Sequence, residues 1–182
     1  MRGGINSAVY VRNHGSGSQK TIISRFLDTN GDGTGSINAN GDYSSAAGIF
    51  YIQPSINENY RIARMLVSIE DTAGMQADEY GNIGSALTNG ITLRKQNDLG
   101  TIVDYTDSNP VKTNSQWGGF CYDVDLKTWG AGNELIVVRW TFTRAGQFIR
   151  LSGQDSERLE IVVNDNLTGL VSHKFLAQGY IE

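Results

Sequence analysis

Apolar residues recur at every second position through much of this chain, which is the period of a strand with one buried face. From Phe120 onward, Phe120, Tyr122, Val124 and Leu126 share one face, and Cys121, Asp123, Asp125 and Lys127 share the other. From Glu134, the residues Ile136, Val138, Trp140 and Phe142 oppose Leu135, Val137, Arg139 and Thr141. Both segments predict half-buried strands, joined through the hairpin loop Trp129-Gly130-Ala131-Gly132-Asn133. Tyr122, Val124, Ile136, Val138, Trp140 and Phe142 are therefore expected to be buried together. In the run from Tyr60 to Asp71, Ala63, Met65, Val67 and Ile69 alternate with Arg64, Leu66, Ser68 and Glu70, and the β-branched content favours a strand over a short helix.

Further strand candidates are Val9 to Arg12, Thr21 to Leu27, Ile49 to Gln53, Ile91 to Lys95, Thr101 to Tyr105, Phe148 to Leu151, Arg158 to Val163 and Leu170 to Ala177. Turn-rich pieces such as Gln96 to Gly100 and Asn164-Asp165-Asn166 separate several of them. About ten short strands without a capped amphipathic helix predict an all-β chain, an antiparallel β-sandwich of jelly-roll type. No repeat and no interdomain linker interrupts the pattern. Residues 1–20, with their glycine and serine content, read as a flexible N-terminal arm, and residues 21–182 as a single sandwich domain.

Composition narrows the function classes. A formal charge of −4 and a pI of about 5.2 supply no basic field for phosphates, so no direct nucleic-acid partner is expected. Met1 to Tyr10 holds no apolar run of signal-peptide length and no later window approaches a membrane span, so neither secretion nor membrane insertion is expected. Cys121 is the only cysteine, which excludes an intrachain disulfide, and its alternating context reads as a small buried side chain. Loops built on 22 glycines and only 2 prolines point to positive backbone angles and close approaches.

The most specific local motif is Asp28-Thr29-Asn30-Gly31-Asp32-Gly33-Thr34-Gly35-Ser36. Its spacing lets Asp28, Asn30 and Asp32, with the Thr34 carbonyl, converge on a hard cation, so calcium is the one candidate cofactor. Two features oppose it. Ala39 stands where an EF-hand carries its bidentate glutamate, and the flanks read as strands, which favours a solvated Asx/Gly loop. The glycines do not make a phosphate loop, because Gly35 runs into Ser36-Ile37-Asn38 and not into a helix that opens with Lys.

His14 and His173 are the only histidines, too few for a multi-histidine metal centre. There is no nucleophile elbow, and the pairs Asp123/Asp125 and Glu157/Glu160 read as solvated strand faces. No catalytic residue is assigned. Trp140 falls in the apolar register, whereas Trp117 and Trp129 adjoin glycines and are the interface candidates, as sugar platforms or packing anchors.

Three stretches resemble small virion structural proteins of tailed phages, particularly marine ones. They are Leu27 to Gly35 with Asn38 to Ser44, Ala86 to Ile91, and Asn164 through His173, Phe175 and Gln178-Gly179-Tyr180; with Arg139 to Phe142 the resemblance spans most of the chain. It implies a non-enzymatic particle component made in the host cytoplasm, with other virion proteins and identical copies as partners. A capsid decoration or cement protein on the major capsid protein is the first expectation. A head–tail connector, tail or baseplate piece comes next. The competing class is a carbohydrate-binding host-receptor module, and a calcium-dependent enzyme is the third.

Overall fold

In a computed structural model the chain is described over residues 20–182, apart from 107, 118–120, 130–131 and 146; for 121–129 and 144–145 the backbone alone is described. The arm, its strand candidate Val9 to Arg12 and His14 lie outside the described residues.

Ten strands follow one another: β1 (Thr21–Phe26), β2 (Gly48–Ile52), β3 (Asn59–Thr72), β4 (Ile91–Asn97), β5 (Gly100–Asp104), β6 (Cys121–Trp129), β7 (Asn133–Thr141), β8 (Ile149–Ser152), β9 (Arg158–Val163) and β10 (Ser172–Ile181). Among the described residues every ladder between these strands is antiparallel. Sheet A has the order β1-β10-β3-β7-β6, with β8 pairing the first residues of β3; sheet B has the order β2-β9-β4-β5. The pairs β1·β10, β2·β9, β3 with β8 and β7, and β4·β5 form one nested ladder, rolled so that β10 lies against β3 and β9 against β4. That is the jelly-roll order, which the alternation predicts as a class without fixing the pairing. Among the described residues no helix is long and apolar enough to cross a membrane.

The core lies between the sheets. Sheet A contributes Ile23, Met65, Val67, Ile69, Ile136, Val138, Trp140, Phe175 and Ala177; sheet B contributes Phe50, Ile52, Ile91, Leu93, Leu159, Ile161 and Val163. Of the six residues expected to be buried together, Ile136, Val138, Trp140 and Phe142 are buried, Phe142 just beyond β7 in a 3-10 turn. The side chains of Tyr122, Val124 and Cys121 lie outside the description. Their strand, β6, does pair in register, Val124 opposite Val138 and Leu126 opposite Ile136.

Two boundaries differ from the sequence reading. Trp129 and Asn133 form the last pair of the β6·β7 ladder, so the loop between them is shorter than expected. The final strand begins at Ser172 and runs to Ile181, because Leu170 closes a turn on Leu167.

The phase of β3 also changes midway. Tyr60 and Ile62 face the core, then Met65, Val67 and Ile69; Ala63 is only half-buried. On β10, Gln178 pairs Arg64 while Gly179 pairs Ile62, which leaves Ala63 as the extra residue of a β-bulge. Gly179 permits it, since a Cβ there would stand 2.0 Å from the Arg61 carbonyl oxygen.

Candidate assembly surface

The two outward faces of the sandwich differ in chemistry. On sheet B, Tyr51, Glu160 and Arg94 lie side by side in register. Glu160 is fully buried there. Its carboxylate accepts from the Nε atoms of both Arg94 and Arg158, and the Arg158 guanidinium also lies 5.5 Å over the Tyr51 ring. A buried carboxylate between two guanidiniums is paired within the subunit and offers little to a partner.

Among the described residues, the outward face of sheet A carries apolar side chains that are only partly buried. Phe26, Leu176 and Leu66 stand in one row across β1, β10 and β3, all half-exposed. Val137 and Leu135 extend the apolar area along β7. At one end the row meets a shallow concavity of about 370 Å³ lined by Ile22, Ser24, Arg64, Thr141, Gln178 and Tyr180. Ile22 is 43% exposed there. A polar chain crosses the concavity, with Arg64 Nε donating to Gln178 Oε1 and Gln178 Nε2 donating to Ser24 Oγ at 3.1 Å.

The Asp28–Ser36 loop is organised from within. Asp28 is fully buried; its Oδ1 accepts the amides of Asn30 and Gly31, and its Oδ2 accepts that of Gly35 at 3.1 Å. Asp32 Oδ1 accepts the hydroxyl and amide of Thr34 at 2.7 and 2.9 Å, bonds that hold its carboxyl below the usual carboxylate range. Asn30 donates to Thr34 Oγ1 at 3.1 Å. The residues that spacing offers to calcium thus bond one another and the loop backbone. Among the described residues no group of three or more acidic, histidine or cysteine side chains gathers around a metal-sized site.

Trp117, expected at an interface, is 1% exposed and belongs to the subunit's own core. It packs 5.2 Å from the Trp140 ring and 6.0 Å from Tyr80, and its carbonyl accepts Trp140 Nε1 at 3.3 Å. Adjacent glycine suggests exposure only when the loop stays at the surface; the 3-10 turn Asn114–Gln116 carries Trp117 inward. Neither Trp117 nor Trp140 can stack a sugar. The side chain of Trp129 lies outside the described residues.

His173 is wholly buried beside Trp117, Tyr80 and Phe175. Its Nδ1 lies 3.1 Å from the Ser68 carbonyl, which can only accept, so Nδ1 carries the proton and Nε2 accepts the Tyr80 hydroxyl at 2.5 Å. Burial pushes its pKa down to about 3 and raises that of Tyr80. The pair is a neutral bond sealed from solvent, without the access a general base needs.

Sequence reasoning did not anticipate where the three resemblance-bearing stretches meet. Asp165 accepts the amides of Thr88, Asn89 and Gly90, and its carbonyl accepts the Tyr43 amide at 3.1 Å. Asp42 bridges Asn166, and Asn38 Oδ1 accepts the His173 amide at 2.8 Å. Residues 38–44, 86–91 and 164–173 thus form one interlocked end of the sandwich. No protein-family model matches the chain, and no curated protein sequence matches it.

Proposed function

We propose that this chain is a non-enzymatic structural subunit of a tailed-phage particle, in the first instance a capsid decoration protein that sits on the major capsid protein. The observation that carries the reading is the partly exposed apolar row Phe26–Leu176–Leu66 on sheet A, continued by Val137 and Leu135. Five strands at about 4.8 Å spacing and about eight residues at 3.3 Å give a face of roughly 600 Å². Covered by a partner, such a face buries about 1,200 Å² in total, the lower bound of the standard specific interface. The opposite face of the sandwich has closed its charges on itself through Glu160. Sheet B exposes Ile49 on β2 and Ile102 and Val103 on β5, so its apolar exposure lies at its outer strands and not beside Glu160.

A jelly roll is compatible with this role but does not select it, since the same architecture serves capsids, lectins and cupins. The resemblance of residues 27–44, 86–91 and 164–180 to small virion proteins supplies the particle context.

The test is to purify particles, identify their proteins by mass spectrometry and locate this chain by electron cryomicroscopy. Sheet A is expected to face the capsid or an identical copy. Intact, infectious particles that lack the chain altogether would overturn the reading, as would tight binding of a defined glycan by the isolated protein.

A further inference from the structure

The free edge of β1 has a definite hydrogen-bonding capacity. The Leu27 amide donates to the Phe175 carbonyl at 2.8 Å, and the Asp28 and Tyr51 backbones exchange bonds on the opposite side. By the alternation of an antiparallel ladder, the odd residues of β1 turn their amides to β10, and Ile22, Ser24 and Phe26 turn theirs to the free edge. Among the described residues no strand pairs with that edge. It is also unguarded. Thr21–Phe26 contains no proline, and its one charge, Arg25, is spent on the Gly31 and Gln53 carbonyls at 2.7 and 3.2 Å.

Residues 1–19 join β1 through Lys20, whose ammonium lies 4.3 Å over the Tyr180 ring at the mouth of the sheet A concavity. In that segment Ile5, Val9 and Val11 share one parity, and no proline interrupts it. The connector Asn13-His14-Gly15-Ser16-Gly17-Ser18-Gln19-Lys20 is glycine- and serine-rich. Eight residues exceed the usual two to five of a hairpin loop, so the length of the connector prescribes no hairpin register with β1. A chain of that composition spans about 16 Å, enough to reach an adjacent subunit.

We propose that residues 5–12 of one copy add as a strand to the free β1 edge of a second copy, with Ile5, Val9 and Val11 against Ile22 and the concavity beside it. The inference rests on the assembly reading, which supplies neighbours at high local concentration. Exchange in both directions would give each subunit one strand and bury two edges at once.

The test uses the full chain and the double variant Val9→Pro/Val11→Pro, which removes two strand amides and leaves the sandwich untouched. Light scattering after size exclusion gives the mass, and hydrogen exchange by NMR reads the amides of Ile22, Ser24 and Phe26. The proposal expects the full chain to form a concentration-dependent oligomer with these three amides protected. It expects the variant to be monomeric, with exchange at those amides faster by at least about tenfold. Protected amides in a strictly monomeric full chain would place the arm on its own sheet and overturn exchange between copies. Unprotected amides in the full chain, or an oligomer that survives in the variant, would overturn it as well. Particle composition is a separate measurement, so arm exchange can fail while the chain is found in the virion, and the reverse.

Discussion

Asp165 holds Gly90: its Oδ2 accepts the Gly90 amide at 2.7 Å, while the same carboxylate takes the amides of Thr88 and Asn89. Gly90 has a φ of +84°, and a Cβ there would stand 2.8 to 2.9 Å from Pro110, Lys112 and the Val111 carbonyl. One carboxylate therefore fixes the strained entry to β4 from a residue that follows β9. Asp165→Ala leaves several backbone amides without their charged acceptor and is expected to cost about 2–4 kcal/mol of stability. Urea denaturation checks this, and a loss below about 0.5 kcal/mol would remove Asp165 from that role.

His173 gives the fold an acid sensitivity with a worked sign. Its folded pKa of about 3 lies below the ordinary value of 6.5, so between those limits the unfolded chain binds a proton that the folded one refuses. The stability contributed by keeping it neutral is complete above about pH 6.5 and declines toward pH 3, by up to about 1.4 kcal/mol per pH unit. Tyr80→Phe leaves Nε2 without its donor and is expected to cost about 1–3 kcal/mol at pH 7. Denaturation measured from pH 7 to pH 4 checks the slope, and His173→Gln should flatten it.

Much of the strand pattern is legible in the sequence because alternation is a local property. Ile136, Val138 and Trp140 can be assigned to the core from their own segment. The reversal of phase at Ala63 is not, because its cause is Gly179, more than a hundred residues away. Trp117 misleads for a related reason: glycine beside tryptophan says that the backbone bends, and not which way the ring then turns. At the Asp28 loop the spacing of oxygens is plain, but a calcium loop and an Asx loop share it. What spacing does not give is the direction of the Asp28 carboxylate, which turns toward the amides of Asn30, Gly31 and Gly35. The proposed assembly surface is least legible, since half-exposed leucines on an alternating strand look the same whether solvent or a partner meets them.

Gly179→Ala should be severe for its size. The new methyl meets the Arg61 carbonyl, and backbone cannot rotate away as a flexible side chain would. A cost of about 2–3 kcal/mol is expected in thermal unfolding, with the bulge at Ala63 lost or displaced. Gly84→Ala is the control. It has a φ of +77° and open space around its Cβ, so it carries backbone strain without a clash, whereas Gly179, whose φ is not positive, carries the clash without that strain.

The Asp28 loop separates two chemistries through two carboxylates. As an internal organiser, Asp28 is buried and takes amides of Asn30, Gly31 and Gly35, so Asp28→Ala is expected to cost about 2–3 kcal/mol. Asp32 is exposed and bonds Thr34, so Asp32→Ala should leave the stability unchanged. Calcium at millimolar concentration should leave the melting temperature of both proteins unchanged. A rise in Tm with calcium that vanishes in Asp32→Ala would restore the metal-loop reading.

Leu66 and Leu176 provide the sharpest separation between folding and assembly. They stand side by side on the outward face of sheet A, half-exposed, with their neighbours Met65 and Phe175 carrying the core on the opposite face. Because period two divides the faces, a charge placed at either leucine changes the outer surface without entering the core. Leu66→Glu and Leu176→Glu should each unfold within about 1 kcal/mol of the parent protein. At the centre of an apolar interface, however, an unpaired carboxylate must be desolvated without a partner, and its cost there is several kcal/mol. Incorporation into particles should therefore fall by a hundredfold or more, read as the ratio of this chain to the major capsid protein in purified virions. Thr92→Glu, on the outward face of sheet B, is the matched control and should be incorporated normally. Equal loss in all three variants would mean that sheet A is not the binding face, and normal incorporation of both leucine variants would leave the free strand edges to carry the contact.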